Sequence, residues 1–271
     1  MSKQVVPVFE QDVVVVSLDR ETFSIQIGAP RRQQRTPEET QIWDSMCAQN
    51  PRLFDGPILA VERVDWNASS GEACVHALVG RYSSLCLARA QVNTRSSTFE
   101  QPACAILSVT GLLTKQRVCS GRQEVLMGLR GSNVASYPLH WEFAPAGGLG
   151  VPNEGTSSVT PSAMRDALIE EYVEEIGSPS QQAIEALRDS ELVALVFDRT
   201  ALSYDIVLRV QLPENELDDH PLLSLDVPDR SWEYAALQWI PTSDLVAFFS
   251  SDRHQIIPPA RLLAKALGWI P

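Results

Sequence analysis

The chain has 271 residues, a net charge of −12 and an ordinary apolar content of 44%, and no apolar run approaches the ~20 residues of a membrane span. That acidity argues against a general nucleic-acid or membrane-surface binder, so a phosphate-bearing ligand would need a local basic pocket or metal ions. The five cysteines (Cys47, Cys74, Cys86, Cys104 and Cys119) are odd in number and scattered without a C-x-x-C pair, which fits reduced thiols and a cytoplasmic protein. The opening M-S-K-Q-V-V-P-V-F-E-Q-D has no charged segment leading into a long apolar one, so no signal peptide is expected.

In chain order, V-V-V-V-S-L at 13–18 and the alternating T-F-S-I-Q-I at 22–27 predict strands. R-R-Q-Q-R at 31–35 is a basic knot, read as a solvated loop. It precedes a helix over 36–47, with Thr36 as cap and Pro37 at its first position. A turn-rich run, Asn50 to Pro57, leads into strands at 58–66 and 73–81. These elements form a small N-terminal α+β domain, residues 1–95, with no catalytic constellation. Polar residues 91–101 read as a linker or edge loop.

Residues 96–271 form the second domain. Strands are expected there at 103–113, 124–129, 141–144, 192–197, 204–212 and 231–240. Helices are expected at 161–176, 242–250 (capped by Thr242 or Ser243) and 259–267, and a short helix or turn at 180–187. This order suits a mixed sheet between layers of helix. Asp218-Asp219-His220, within the acidic stretch 214–229, reads as a solvated loop rather than a metal site. The four histidines are scattered, which argues against a Ser-His-Asp or Cys-His mechanism.

The informative stretch is Trp141 to Gly177. W-E-F ends in Pro145-Ala146-Gly147-Gly148, a turn where backbone can approach a ligand. The following helix has Thr160 as cap, Pro161 at its first position and Gly177 as its stop. Leu168, Ile169, Tyr172, Val173 and Ile176 recur at spacings of three and four and make an apolar stripe. Glu170, Glu171, Glu174 and Glu175 fall on the other side, as neighbours that repel by a few tenths of a kcal/mol per pair, roughly. Either they form a solvated acidic face, or a divalent cation sits among their oxygens.

These residues resemble the Nudix box, G-x5-E-x7-R-E-U-x-E-E-x-G-U, where U is bulky and aliphatic. Gly177 matches the closing glycine, Glu174 and Glu175 the E-E pair, Glu171 the E of R-E, and Tyr172 the first U. Glu170 stands at the arginine position, Ser162 at the early glutamate and Ser178 at the last U. Gly148 matches the opening glycine only across an insertion. The family arginine holds the helix and its glutamates in place; Arg165, five residues before Glu170, is the candidate replacement. Leu126 to Arg130 with Tyr137 and Trp141 resembles the stretch preceding the box. Asn50 to Gly56 resembles, more weakly, Nudix proteins that hydrolyse UDP-sugars.

The resemblance implies an α/β/α sandwich and metal-dependent hydrolysis of a diphosphate linkage. Glu171 and Glu175 would hold the main Mg²⁺ or Mn²⁺, with Glu174 in support and the Gly148 carbonyl opposite. Glu233, six residues before Trp239, would bind a further ion or orient water. Arg130 either caps its strand end or, with Tyr137, lies near the ligand. The substrate would be a small nucleoside diphosphate joined to another moiety, with a nucleotide sugar such as UDP-glucose favoured. The competing expectation, from the replaced arginine and Ser162, is a Nudix fold kept for nucleotide binding or sensing without turnover.

Overall fold

A computed structural model describes residues 8–10, 12–18, 23–30, 35–51, 53–67, 72–92, 104–220, 223 and 233–271. Arg31–Gln34 of the basic knot, most of the 91–101 stretch, most of 221–229 and the first two residues of the 231–240 strand lie outside the described residues.

The elements run β1 (Val8–Glu10), β2 (Val13–Ser17), β3 (Phe23–Ile27), α1 (Pro37–Gln49), β4 (Pro57–Asn67), β5 (Glu72–Arg81) and α2 (Tyr82–Val92). Then come β6 (Ala105–Arg117), β7 (Arg122–Arg130), β8 (Trp141–Phe143), β9 (Ala146–Gly148), β10 (Ser158–Val159) and α3 (Pro161–Glu171). The chain closes with α4 (Gln181–Arg188), β11 (Glu191–Asp198), β12 (Ser203–Leu212), β13 (Tyr234–Pro241), α5 (Leu245–Ser250) and α6 (Pro258–Ala266).

β6 is the axis of the sheet. One edge pairs in parallel with β12 over ten residues, Ile106 to Lys115. The other edge is shared by three antiparallel partners: β4 at Ala105 and Ile106, β9 at Ser108 to Thr110, and β7 at Thr114 to Arg117. β7 then diverges to lie between β8 and β13. Backbone hydrogen bonding also crosses residue 95: β2 pairs with β11, β3 with β10, and β4 with β6.

Period-two alternation sends the side chains of each central strand into two cores. On β12, Ile206, Leu208 and Val210 join the core containing Leu168 and Tyr172, while Val207 joins the one containing Leu262 and Leu263. Helices α3 and α4 therefore cover one face and α5 and α6 the other, which gives the expected mixed sheet between helical layers. No helix among the described residues is long and apolar enough to cross a membrane. All five cysteines are free thiols.

Cap chemistry explains the helices that were legible. Thr36 and Glu39 form a reciprocal capping box on α1. Thr160 accepts the Ala163 amide at 3.2 Å and Ser180 the Ala183 amide at 3.1 Å. Neither residue expected to cap α5 does so: Thr242 donates to the Gln123 carbonyl and Ser243 to Asp244. α2 was not anticipated, because no capping residue or apolar periodicity marks Y-S-S-L-C-L-A-R-A-Q-V.

The helix expected over 161–176 is α-helical only to Glu171. Tyr172–Ile176 is a π turn, closed by Gly177 N–H on the Tyr172 carbonyl at 2.9 Å, and Gly177 stops it at φ 137°. Its apolar stripe is narrower than expected. At about 100° per residue, Val173 lies far from Leu168 around the helix and is 47% exposed. Glu175 falls in the middle of the buried arc and is only 7% exposed, rather than on the polar face with Glu170 and Glu174.

Candidate functional site

Chain connectivity places the end of α3 and its π turn over β9. The Pro145 carbonyl accepts Gly111 N–H, and the register Val109↔Gly147 fixes the strand on β6. Gly147 has no side chain to hold the helix off. A Cβ there would sit 2.0 Å from the Glu171 carboxyl, so that carboxyl lies directly against the strand backbone. One position away, Ala146 N–H donates to Glu175 Oε2 at 3.0 Å. Two helix carboxylates four residues apart are thus seated on one short strand.

Glu233, at the approach to β13, is near enough for its charge to act on both; its backbone carbonyl accepts Gly131 N–H at 2.7 Å. Burial first, then the charges of Glu174, Glu233 and Glu170, push Glu171 up to about 7. Burial pushes Glu175 up to about 9, against the pull of the Ala146 amide, with Glu171, Glu233 and Glu142 adding to the rise. Glu233 is also raised by burial, opposed by Arg130. Glu174 points outward and is exposed.

Among the described residues, no three His, Cys, Asp or Glu side chains converge closely enough to enclose an ion. The donors do fit one in kind. Glu171 and Glu175 are hard oxygen donors, held side by side where their own repulsion is uncompensated, on a backbone cradle that a Cβ would fill. Gly148 lies in the same strand, paired with Ser108. Asp218 and His220 take no part in this group. Asp218 pairs with Lys115 and Arg117, and His220 Nε2–H donates to the Ile176 carbonyl. Arg165 does not replace the arginine of the box; its guanidinium donates to the Ser190 carbonyl at 3.0 Å, tying α3 to the start of β11.

A cavity of about 260 Å³ opens on the other side of β9, against Ala146, Gly147 and Gly148. Its floor is the sheet (Ser108, Asp205), and α2 supplies one wall through Leu85 and Arg89. Arg130 and Tyr137 both line it. Arg130 pairs with buried Glu142 and donates to the Ser136 carbonyl at 3.0 Å; Tyr137 donates to Asp198 at 2.8 Å. Arg89 donates to the Ala201 carbonyl at 2.6 Å. Among the described residues, both arginines facing the cavity thus have at least one protein partner.

Three of these residues escaped the sequence reading. Gly147 was visible only as part of a turn. Glu142, 5% exposed between Arg130 and the Tyr234 hydroxyl, lay unremarked in W-E-F. Asp205 was detectable as a lone acid in the alternating strand S-Y-D-I-V-L. Burial and then the charge of Asp198 push Asp205 up to about 7, and Ser203 donates to it at 3.1 Å. The unfolded chain releases this proton near its ordinary 3.8 while the native state keeps it to about 7, so stability falls as pH rises through that window. Asp205→Asn, which preserves an acceptor for Ser203, is expected to add up to about 4 kcal/mol at pH 8 and well under 1 kcal/mol, about 0.5, at pH 4. Urea melts at the two pH values check this; equal effects at both would remove Asp205 as the titrating group.

No family model and no curated protein matches the chain. Among solved structures it is similar to a MutT/Nudix family protein from Listeria innocua, with 15% identity, 60% of this chain and 91% of that one covered, and a TM-score of 0.37. It is also similar to a Nudix hydrolase from Alicyclobacillus acidocaldarius (12% identity, 59% and 90% covered, TM-score 0.37). A third similar structure is a binary complex of an Ap4A hydrolase from C. elegans (14% identity, 60% and 97% covered, TM-score 0.30).

Proposed function

We propose that the chain is a Nudix-type hydrolase, dependent on Mg²⁺ or Mn²⁺, that splits the diphosphate of a nucleoside diphosphate joined to another moiety, a nucleotide sugar being favoured. The observation that carries this reading is the seating of Glu171 and Glu175 on Ala146–Gly147, a short strand whose opposite side, together with Glu233, lines a ligand-sized cavity. The charge of the lining adds to it: Glu142, Asp198, Asp205 and Glu233 outnumber Arg89 and Arg130, so a bound cation would help a diphosphate to enter.

In this reading Glu171 and Glu175 would hold the ion, Glu174 would reinforce the negative field from outside, and Gly148 would offer its carbonyl. When bound, a hard divalent cation neutralises phosphoryl oxygens and makes a bound water more acidic. Glu233 orients the attacking water and accepts its proton. The water oxygen bonds to phosphorus, and the bridging P–O bond breaks to release the second phosphate. Arg130 and Tyr137 position the remainder of the ligand. Free thiols at all five cysteines accord with a cytoplasmic setting.

The test is product release from nucleotide sugars, dinucleotides and nucleoside triphosphates with Mg²⁺, Mn²⁺ or chelator. Turnover of one class, abolished by chelator, is expected. A ligand that stabilises the protein without being consumed would favour the second reading, a nucleotide-binding or sensor protein, to which the exchange of the box arginine for Glu170 points.

A further inference from the structure

The π turn that carries Glu174 and Glu175 does not stand on helix packing alone. The segment after β12, residues 213–220, folds back onto it. Glu216 accepts the Tyr172 hydroxyl at 3.1 Å, the Ser180 amide at 3.2 Å and the Ser180 hydroxyl at 2.7 Å. One carboxylate thereby joins the start of the π turn to the cap of α4. His220 Nε2–H donates to the carbonyl of Ile176, the last residue of the turn, at 2.6 Å. A helix end leaves carbonyls without internal partners, and this one is satisfied from outside.

The segment is itself fixed from the far side. Asp218 takes Lys115 at 2.5 Å and Arg117 through both nitrogens at 2.7 and 2.9 Å. Lys115 is fully buried on β6 and sits 4.2 Å above the Trp239 ring. Glu214 accepts the Val118 amide at 2.8 Å. Rigid contacts therefore run from the β6–β7 hairpin through Asp218 to Glu216 and His220, and from them to the turn. Inside that turn, Glu175 has a directed bond to Ala146 N–H, which holds only while the turn keeps its place.

We infer that Glu216 and His220 are positioning residues: the 213–220 segment clamps the π turn so that Glu171 and Glu175 stay seated on β9. The inference rests on the hydrolase reading for the role of the carboxylates. Tyr172 and Ile176 pack the turn on the core and Arg165 is committed to Ser190, while the directed polar contacts at its two ends come from Glu216 and His220. Partners of this kind orient ligands without touching the ion, and losing one weakens affinity by about 10- to 100-fold.

The experiment compares wild type, Glu216→Ala, Glu216→Gln and His220→Ala as full chains by amide hydrogen exchange and by titration with Mn²⁺ alone, followed by paramagnetic resonance. Glu216→Ala is expected to speed exchange across 172–177 about tenfold with β6 and β12 unchanged, and to weaken Mn²⁺ binding about tenfold. The activating-metal constant should rise with it, while KM for nucleotide stays put. Glu216→Gln keeps an acceptor for Tyr172 and Ser180 and should recover Mn²⁺ affinity to within about threefold of wild type. His220→Ala should follow Glu216→Ala in direction. Unchanged exchange in 172–177, or faster exchange with unaltered Mn²⁺ affinity, overturns the inference, as does faster exchange throughout the protein. A wild type that binds no Mn²⁺ overturns the hydrolase reading instead, and local exchange then decides the clamp alone.

Discussion

Glu175→Gln is expected to lower hydrolysis about a thousandfold or more and, at the same time, to make the cation-free protein more stable at pH 8. Glutamine has nearly the same shape and still offers an oxygen to Ala146 N–H, so the strand contact survives. What disappears is a charge that the fold disfavours. Burial, with Glu171, Glu233 and Glu142 alongside, holds native Glu175 up at about 9 against its ordinary 4.5. The unfolded chain loses the proton near pH 4.5 and the native state only near 9, so wild-type stability declines as pH rises between these values. The variant has no proton to lose. Its advantage should be small below pH 4.5 and grow to several kcal/mol, roughly 5 at most, by pH 8. Melts with chelator at pH 4 and 8, beside kcat in Mg²⁺, test both halves. Unchanged turnover would remove Glu175 from the site, and lost turnover with lost stability would assign it to the fold.

Gly147→Ala separates function from stability in another way. The added Cβ would lie 2.0 Å from the Glu171 carboxyl, far inside any real contact, so one of the two has to move. The carboxyl is the far end of a flexible side chain and yields more easily than a strand paired with β6. Glu171 is then displaced by an ångström or more, which in a positioned site costs roughly 100-fold in rate. Tm should change little. Gly150→Ala, where a Cβ meets nothing within 4 Å, is the control and should behave as wild type. A Gly147→Ala enzyme with normal kcat and normal metal dependence would show that Glu171 does not act from this seat.

Much of the scaffold was legible because its signals are local. Thr36-Pro37 and Thr160-Pro161 mark helix starts through hydrogen bonds made within three residues, and the β strands announce themselves by alternation. The glutamates nearest the box were legible as residues, but not in their division of labour. Spacings of three and four placed Glu174 and Glu175 together, whereas the π turn and the strand beneath it bury one and expose the other. Arg165 shows the same limit: spacing put it within reach of the glutamates, and a carbonyl on the next connection claims it. The docking of β2 on β11, and the cavity wall made by α2, join segments roughly a hundred residues or more apart, and nothing local encodes them.

The three-way use of one edge of β6 turns that strand into a ruler. The distance from β4 to β9 to β7 is counted in its residues, and the ten-residue parallel pairing with β12 prevents slippage. One residue gained or lost between Leu107 and Leu113 would reverse which side chains face α3 and move β9 out from beneath the glutamates. The stretch between β9 and α3 obeys no such count. It leaves at Gly148 and returns through β10, which is tethered to β3 away from the carboxylates. Extra residues there are absorbed without altering the seat of Glu171 or Glu175, which explains how an over-long loop and an intact glutamate pair coexist in one sequence. Insertions and deletions accumulated by descendants of this chain should therefore collect between residues 149 and 157 and be missing from 107–113.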